Sequence, residues 1–403
     1  VVPERPAEAV LMERLHALSL DDAVLGLAPA HPDYAALMDE KDRLEALALT
    51  GGWGAKVPEG PTLREGDRAL RVVALRERLA RLGFPAATAE ASAGATLAAA
   101  GDPALFDAAL ADAVQRFQRD HGLLDDGIAG ARTLAAVNAS VEDRIGQVLV
   151  NLERLRWLGD LGGRYVYVNI PDFSVRVMEG DEAVYETRAV VGQTATETPE
   201  FSETMTYLVV NPTWYIPDSI ARRVYLPKLR TDPGVIERSD MRLFTTSGTE
   251  IDPRLVDFSQ LEAGAFPFRV RQNPSASNAL GAVKFMFPNQ HAIYLHDTPA
   301  KELFDRDARA FSNGCVRLER PFEFAAYLLD GQLDDAVGTF QSWVEAGSER
   351  YVTLETPIEV HITYRTAWSG PDGIEYRADV YGRDAALVAA LAERGVTVPG
   401  PQG

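Results

Sequence analysis

The sequence predicts an α+β chain of more than one domain, and three observations carry that prediction. Apolar residues recur at helical spacing from the N-terminus to about residue 160, then alternate with period two from Arg164, and return to a helical pattern only near the end. With 403 residues, 46% of them hydrophobic and 25% charged, the chain can build two or three separate cores. Its single cysteine, Cys315, excludes an internal disulfide, so those cores must hold without covalent staples.

Residues 1–65 read as an N-terminal helical scaffold. Leu11, Leu15, Leu18 and Leu20 fall close to helical spacing, and Tyr34, Leu37, Leu44 and Leu47 do so again after His31-Pro32, until Gly51-Gly52-Trp53-Gly54 breaks the pattern. Residues 66–138 read as a compact helical module. One stripe, Val73, Leu75, Leu79 and Leu82, stops at Gly83. A second, Leu105, Phe106, Leu110, Ala113, Val114 and Phe117, stops at His121-Gly122, and a third short helix follows Ile128-Ala129-Gly130. The Ala-, Thr- and Gly-rich run from Ala86 to Ala100 is expected to be a loop insertion. Ser140-Val141-Glu142-Asp143 resembles a capping box opening a scaffold helix within 139–163, with Ile145, Val148, Leu149, Leu152, Leu155 and Leu158 on one face.

A mainly β domain is expected over 164–345. Val166, Val168 and Ile170 alternate with Tyr165, Tyr167 and Asn169, and β patterns continue at 174–178, 184–191, 204–210, 283–287 and 291–296. Residues 219–281 do not alternate. They carry Arg222, Arg223, Lys228 and Arg230, then Pro and Gly breaks, then Arg269 and Arg271, and an excursion this long is expected to have its own structure. In 346–403, Val360, Ile362 and Tyr364 alternate once more, Gly370-Pro371-Asp372-Gly373 reads as a hairpin turn, and a short helix closes the chain.

The charge balance is 40 basic against 59 acidic residues, a net of -19, which excludes a general nucleic-acid binder because such a chain has no counterion release to gain. No apolar run approaches the ~18 residues of a membrane span. The chain begins at Val1-Val2-Pro3 rather than Met, so a signal peptide or membrane anchor upstream of Val1 is compatible with it.

Chemistry concentrates around Cys315, in Ser312-Asn313-Gly314-Cys315-Val316-Arg317. A lone cysteine can be a small buried apolar residue. Here a preceding glycine allows a tight turn whose N–H groups face a substrate oxygen, and Arg317 supplies charge that favours a thiolate. A cysteine nucleophile needs a base. Of the six histidines, His16 and His31 lie in N-terminal helices, His121 at a helix end and His361 on a late strand, leaving His291 and His296 just before the cysteine loop. Five positions apart, these two point to opposite faces of an ideal strand, which argues against a shared metal site, as does the absence of HExxH and CxxC patterns; no metal and no cofactor are expected. His296 ends the run and pairs best with Cys315, Tyr294 faces the same side, and the carbonyl or carboxylate of Asp297 is placed to fix the imidazole tautomer.

His296-Asp297-Thr298-Pro299, the 19 positions from His296 to Cys315, and Ser312-Asn313-Gly314-Cys315-Val316-Arg317 together resemble an L,D-transpeptidase catalytic domain. The family most often has histidine where this chain has Asn313; its long YcbB-like members also lack that histidine. Those members are the nearer resemblance, through Asn211-Pro212-Thr213-Trp214, Leu226-Pro227-Lys228, Arg271-Gln272-Asn273-Pro274, Asn278-Ala279-Leu280-Gly281, Lys284-Phe285-Met286-Phe287-Pro288, Thr363-Tyr364-Arg365-Thr366-Ala367-Trp368 and Tyr381-Gly382-Arg383-Asp384. The excursion at 219–281 then corresponds to their substrate-capping lid. Residues 66–138 resemble a three-helix peptidoglycan-binding domain, through Ala113-Val114-Gln115-Arg116-Phe117-Gln118, His121-Gly122-Leu123, Asp126-Gly127, Gly130 and Thr133.

The resemblance implies attack by Cys315, activated by His296, on a peptidoglycan stem tetrapeptide, release of D-alanine, and resolution of the thioester by the diaminopimelate amine of a second stem, giving a 3→3 cross-link. It makes the backbone N–H groups of Gly314 and Cys315 candidate oxyanion donors, and Trp214, Tyr294, Asn313 and Arg317 candidate substrate contacts. It also implies acylation by carbapenems and a periplasmic location. Rival readings are a hydrolase using the same acyl-enzyme, a non-catalytic wall-binding scaffold, and a sortase or papain-like peptidase; His-before-Cys order and the short spacing disfavour the last.

Overall fold

The computed structural model describes residues 12–13, 28–29, 31–86, 102–262, 266–371, 373–396 and 398. The helical pattern at Leu11, Leu15, Leu18 and Leu20, and all of the Ala86–Ala100 run after Ala86, lie outside them. The chain divides into two compact units, 1–160 with 364–403, and 161–363.

The first unit is helical. Helix α1, Pro32–Leu49, starts at His31, whose Nδ1 accepts the Asp33 N–H, and buries Leu37 and Leu44. Helices α2 (Leu70–Arg81), α3 (Ala108–Asp120) and α4 (Ala131–Val137) share one core of Val72, Leu75, Leu79, Leu110, Val114, Phe117 and Val137 among others. On α2 the buried stripe runs through Val72 rather than the expected Val73, which is half-buried, because positions 72, 75 and 79 share a helix face and 73 and 75 do not. Two buried polar side chains tie the module together. Gln118 donates to Asp126, Thr133 and the Ile128 carbonyl and accepts the Gly127 N–H. Arg78 donates to the carbonyls of Gly54, Val137 and Ala139. Helix α5, Val141–Leu158, has both halves of the capping box formed between Ser140 and Asp143. A second core packs α1 on α5 and takes in the hairpin formed by strands Ala367–Gly370 and Gly373–Tyr376, which Gln147 and Asn151 of α5 hold by hydrogen bonds to Thr366 and Arg377. The helix Arg383–Glu393 follows.

The second unit is built on a mostly antiparallel sheet that closes on itself. Strands β1 (Arg164–Asn169), β2 (Ser174–Glu179), β3 (Glu182–Gly192) and β4 (Phe201–Val210) come first. An inserted subdomain carries β5 (Trp214–Tyr215), β6 (Met241–Thr245), β7 (Glu250–Ile251) and β8 (Phe268–Gln272) in the order β5-β8-β6-β7, with short helical turns between 218 and 238. Its own core, including Trp214, Leu226, Leu229, Leu243, Phe258 and Val270, explains how residues without long alternation still fold. The main sheet resumes with β9 (Val283–Met286), β10 (Leu295–His296), β11 (Ala310–Ser312), β12 (Val316–Leu318) and β13 (Arg350–Thr363). Its order is β11-β3-β12-β10-β9-β4-β13-β1-β2, and β2 pairs again with β3 to complete the ring. Between β12 and β13 come helices α6 (Pro321–Leu329) and α7 (Ala336–Glu345), with Phe324 of α6 edge-on to Phe285 of β9 at 4.7 Å between ring centroids. The region 346–403 is therefore divided: its first strand lies in the ring and everything from Tyr364 belongs to the other unit.

Candidate active site

His296 and Cys315 are placed by neighbouring strands. β10 lies between β9 and β12, with Leu295 opposite Phe285 and Val316, and His296 opposite Lys284 and Arg317. Leu295, Phe285 and Val316 are fully buried on the core side. His296 and Arg317 take the other face, and Cys315, two residues before Arg317, joins them.

The strand expected over 291–296 is confined to its last two residues. Asn289 is the cause. Its carboxamide accepts the N–H groups of His291 and Ile293 and donates to the carbonyls of Phe287 and Ile293, replacing ladder bonds with a local turn in which Ala292 has φ +55°. His291 and His296 consequently line the same cavity instead of opposite faces.

The Asp297 carbonyl accepts from His296 Nδ1 at 2.5 Å, which puts the proton on Nδ1 and leaves Nε2 as the basic nitrogen. The Asp297 carboxylate is engaged elsewhere, by the Ala282 N–H at 2.9 Å and Lys301 Nζ at 2.7 Å. That arrangement requires glycine at 281: φ there is +61°, and a Cβ would lie 2.2 Å from Asp297 Oδ2. Burial, with the Arg317 charge adding to it, pushes the His296 imidazole down to about 3.

Burial also dominates at Cys315 and pushes its thiol up to about 11, although the Tyr294 N–H and hydroxyl and the Arg317 charge act in the opposite direction. Arg317 thus favours the thiolate, as its charge requires, but less than desolvation opposes it. At neutral pH the thiol and the imidazole both rest uncharged. The Sγ contact is to the Ala292 carbonyl at 3.8 Å, and no Cys315–His296 hydrogen bond forms in this state.

Gly314, with φ +120°, makes the turn into Cys315, and Ile293 Cδ1 would sit 3.2 Å from any Cβ. Its N–H, expected as an oxyanion donor, instead donates to Ser312 Oγ at 3.0 Å, while that buried hydroxyl donates to the Cys315 carbonyl at 2.5 Å. Satisfying Ser312 turns the Gly314 N–H inward. The Cys315 N–H is left as the donor able to face a substrate.

Cys315, His296, Tyr294, Trp214, Asn313 and Arg317 all line one cavity of about 240 Å³. The Tyr294 hydroxyl is within hydrogen-bonding reach of both the Cys315 sulfur and the Trp214 side chain, and its ring lies 5.6 Å from that of His296. Trp214 is contributed by β5, so the inserted subdomain forms one wall. Within its basic run, Arg222 pairs with Asp218 and Arg230 with the Leu261 carbonyl; Arg223 alone of these cations reaches the cavity, donating to Asn313 Oδ1 at 2.7 Å. Sequence reasoning registered the run but had no means of telling which member turned inward. Of the other histidines, His16 lies outside the described residues, and three have structural roles: His31 caps α1, His121 stacks on Phe117, and His361 bonds Ser202 and the Leu161 carbonyl. Among the described residues, no group of three or more His, Cys, Asp or Glu converges to hold a metal.

Residues 163–345 match the family described as "L,D-transpeptidase catalytic domain", and residues 68–137 match "Putative peptidoglycan binding domain". A curated relative from Haemophilus influenzae, described as "Putative L,D-transpeptidase", is 33% identical over 257 residues, covering 62% of this chain; the chain spans half of that relative's length. Similar solved structures include an L,D-transpeptidase from Mycobacterium smegmatis (12% identity, 50% of this chain and 58% of that one, TM-score 0.23). Another is the L,D-transpeptidase of Xylanimonas cellulosilytica (15% identity, 76% of this chain and 99% of that one, TM-score 0.24).

Proposed function

We propose that the protein, whose residues 163–345 match the L,D-transpeptidase catalytic domain family and whose residues 68–137 match a family of putative peptidoglycan-binding domains, cross-links peptidoglycan stems through a thioester on Cys315. The observation that carries this reading is the shared cavity, in which a cysteine sulfur and a histidine with one tautomer locked open onto the same space. With substrate bound, the thiol turns from the Ala292 carbonyl toward His296. Sγ attacks the carbonyl carbon of the third stem residue as its proton passes to Nε2, and the resulting oxyanion takes the Cys315 N–H. Because neither partner is ionised beforehand, proton transfer accompanies attack rather than preceding it.

Collapse of the tetrahedral intermediate breaks the C–N bond, and the imidazolium protonates the departing D-alanine amine. The side-chain amine of a diaminopimelate in a second stem then attacks the thioester, His296 accepts its proton, and the restored thiol leaves, giving a 3→3 linkage. Both donor and acceptor are peptidoglycan stems, so the proposed place of action is the periplasm. Carbapenems, as acylating agents of a cysteine in such a cavity, are proposed covalent inhibitors.

The test is mass spectrometry of disaccharide-tetrapeptide incubated with the chain. Dimers that have lost one D-alanine are the expected product. Tripeptide monomers without dimers would overturn transpeptidation in favour of hydrolysis.

A further inference from the structure

The cavity stands apart electrostatically from the rest of a chain that carries a net charge of -19. Arg223 and Arg317 both line it, with two histidines, and among the described residues no aspartate or glutamate does. A space walled by guanidinium groups and free of carboxylates favours an anion. The two arginines are differently held. Arg317 stands on the rigid sheet opposite His296, with its Nε buried and without a hydrogen-bond partner. Arg223 is exposed and comes from the inserted subdomain, on the segment whose Pro217, Ile220 and Arg223 recur every three residues along the cavity wall. Its hydrogen-bond partner there is the neutral amide oxygen of Asn313, two residues from Cys315.

We propose that Arg223 reads the free carboxylate of the residue that leaves, exchanging Asn313 for it when the donor peptide binds. This rests on the proposed reaction and names how its donor is selected. The leaving amino acid carries its carboxylate on the α-carbon next to the nitrogen released, so that group must lie within a few bonds of the carbon Cys315 attacks. An amide oxygen is a weaker partner for a guanidinium than a carboxylate, which accepts two parallel charge-assisted N–H bonds. The exchange therefore favours the bound state, and it ties the inserted subdomain to the substrate at the position that defines a donor: a peptide whose fourth residue is terminal. A stem extended by one more residue, or capped as an amide, has no charge there to offer.

The experiment is calorimetric binding to the complete chain made inert by Cys315→Ala. The two probes are the disaccharide-tetrapeptide ending in D-alanine and the same molecule ending in D-alanine carboxamide. Amidation should weaken binding about tenfold to a hundredfold, the range expected for losing a hydrogen-bonded charge pair. Adding Arg223→Gln should abolish the difference and bring both probes to the carboxamide's affinity, whereas Arg223→Lys should keep part of it. Equal discrimination with and without Arg223, no discrimination in either protein, or no measurable binding of either probe would each overturn the proposal. Turnover by the unmodified chain judges the reaction separately. Cross-linking that is indifferent to amidation removes the role of Arg223 alone, and absence of any product removes the reaction. Because Arg223 is exposed, its substitution should leave the melting temperature unchanged.

Discussion

Titrating the reactivity of Cys315 against pH tests whether the sulfur rests as a thiol. With its thiol pushed up to about 11, the thiolate fraction at pH 7 is on the order of 10⁻⁴, against roughly 3 × 10⁻² for an ordinary cysteine near 8.5. That is a deficit of about 300-fold. A more basic thiolate is intrinsically more nucleophilic, by about tenfold over this interval, so exchange with dithiodipyridine should run about thirtyfold slower than for a free cysteine. The slope is independent of access. From pH 7 to pH 9 the rate should rise about 100-fold without levelling, where an ordinary cysteine gains about 25-fold and flattens. His296, pushed down to about 3, is neutral throughout this range, so His296→Ala should leave the shape of the profile above pH 5 unchanged. Arg317→Gln removes a charge that favours the thiolate and should slow the reaction at pH 9. A plateau between pH 5 and 8 that disappears in His296→Ala would refute the neutral resting state and establish a preformed thiolate–imidazolium pair.

Two substitutions test the supports of the two domains. Ser312→Ala strands the inward Gly314 N–H, at a cost of about 1–3 kcal/mol, and should lower both the melting temperature and the rate of acylation; faster acylation would show that a freed Gly314 N–H can serve the oxyanion. Gln118→Leu removes a buried side chain bonded to Asp126, Gly127, Ile128 and Thr133 and should destabilise the helical module by about 3 kcal/mol, read as faster amide exchange over 122–134. Unchanged exchange there would mean that the turn holds itself.

The sequence was most legible where one local rule acts alone. Ser140 and Asp143 satisfy both halves of a capping box, and the period-two runs at 164–169 and 204–210 lie within strands, with Val166 and Val168 fully buried in the first and Leu208 and Val210 in the second. It misled where a side chain overrode the backbone pattern. The alternation Ile293, Tyr294, Leu295 looks like a strand, yet Asn289 captures the N–H groups that a ladder would use. Gly314 was readable as a turn residue, but not that Ser312 would claim its N–H. Charge was the least legible. The run at 222–230 shows four cations, and only a fold can decide that Arg222 finds Asp218 while Arg223 faces Asn313. Proximity of Cys315 to Arg317 likewise argued for a thiolate until burial on that face was weighed against it.

The central claim is a covalent thioester on Cys315, and intact-protein mass spectrometry during turnover of disaccharide-tetrapeptide tests it most directly. The account predicts a transient adduct equal to the donor less D-alanine, located on the peptide containing Cys315 and absent from Cys315→Ala. Cross-linked product formed with no adduct, or an adduct that persists in Cys315→Ala, would contradict it.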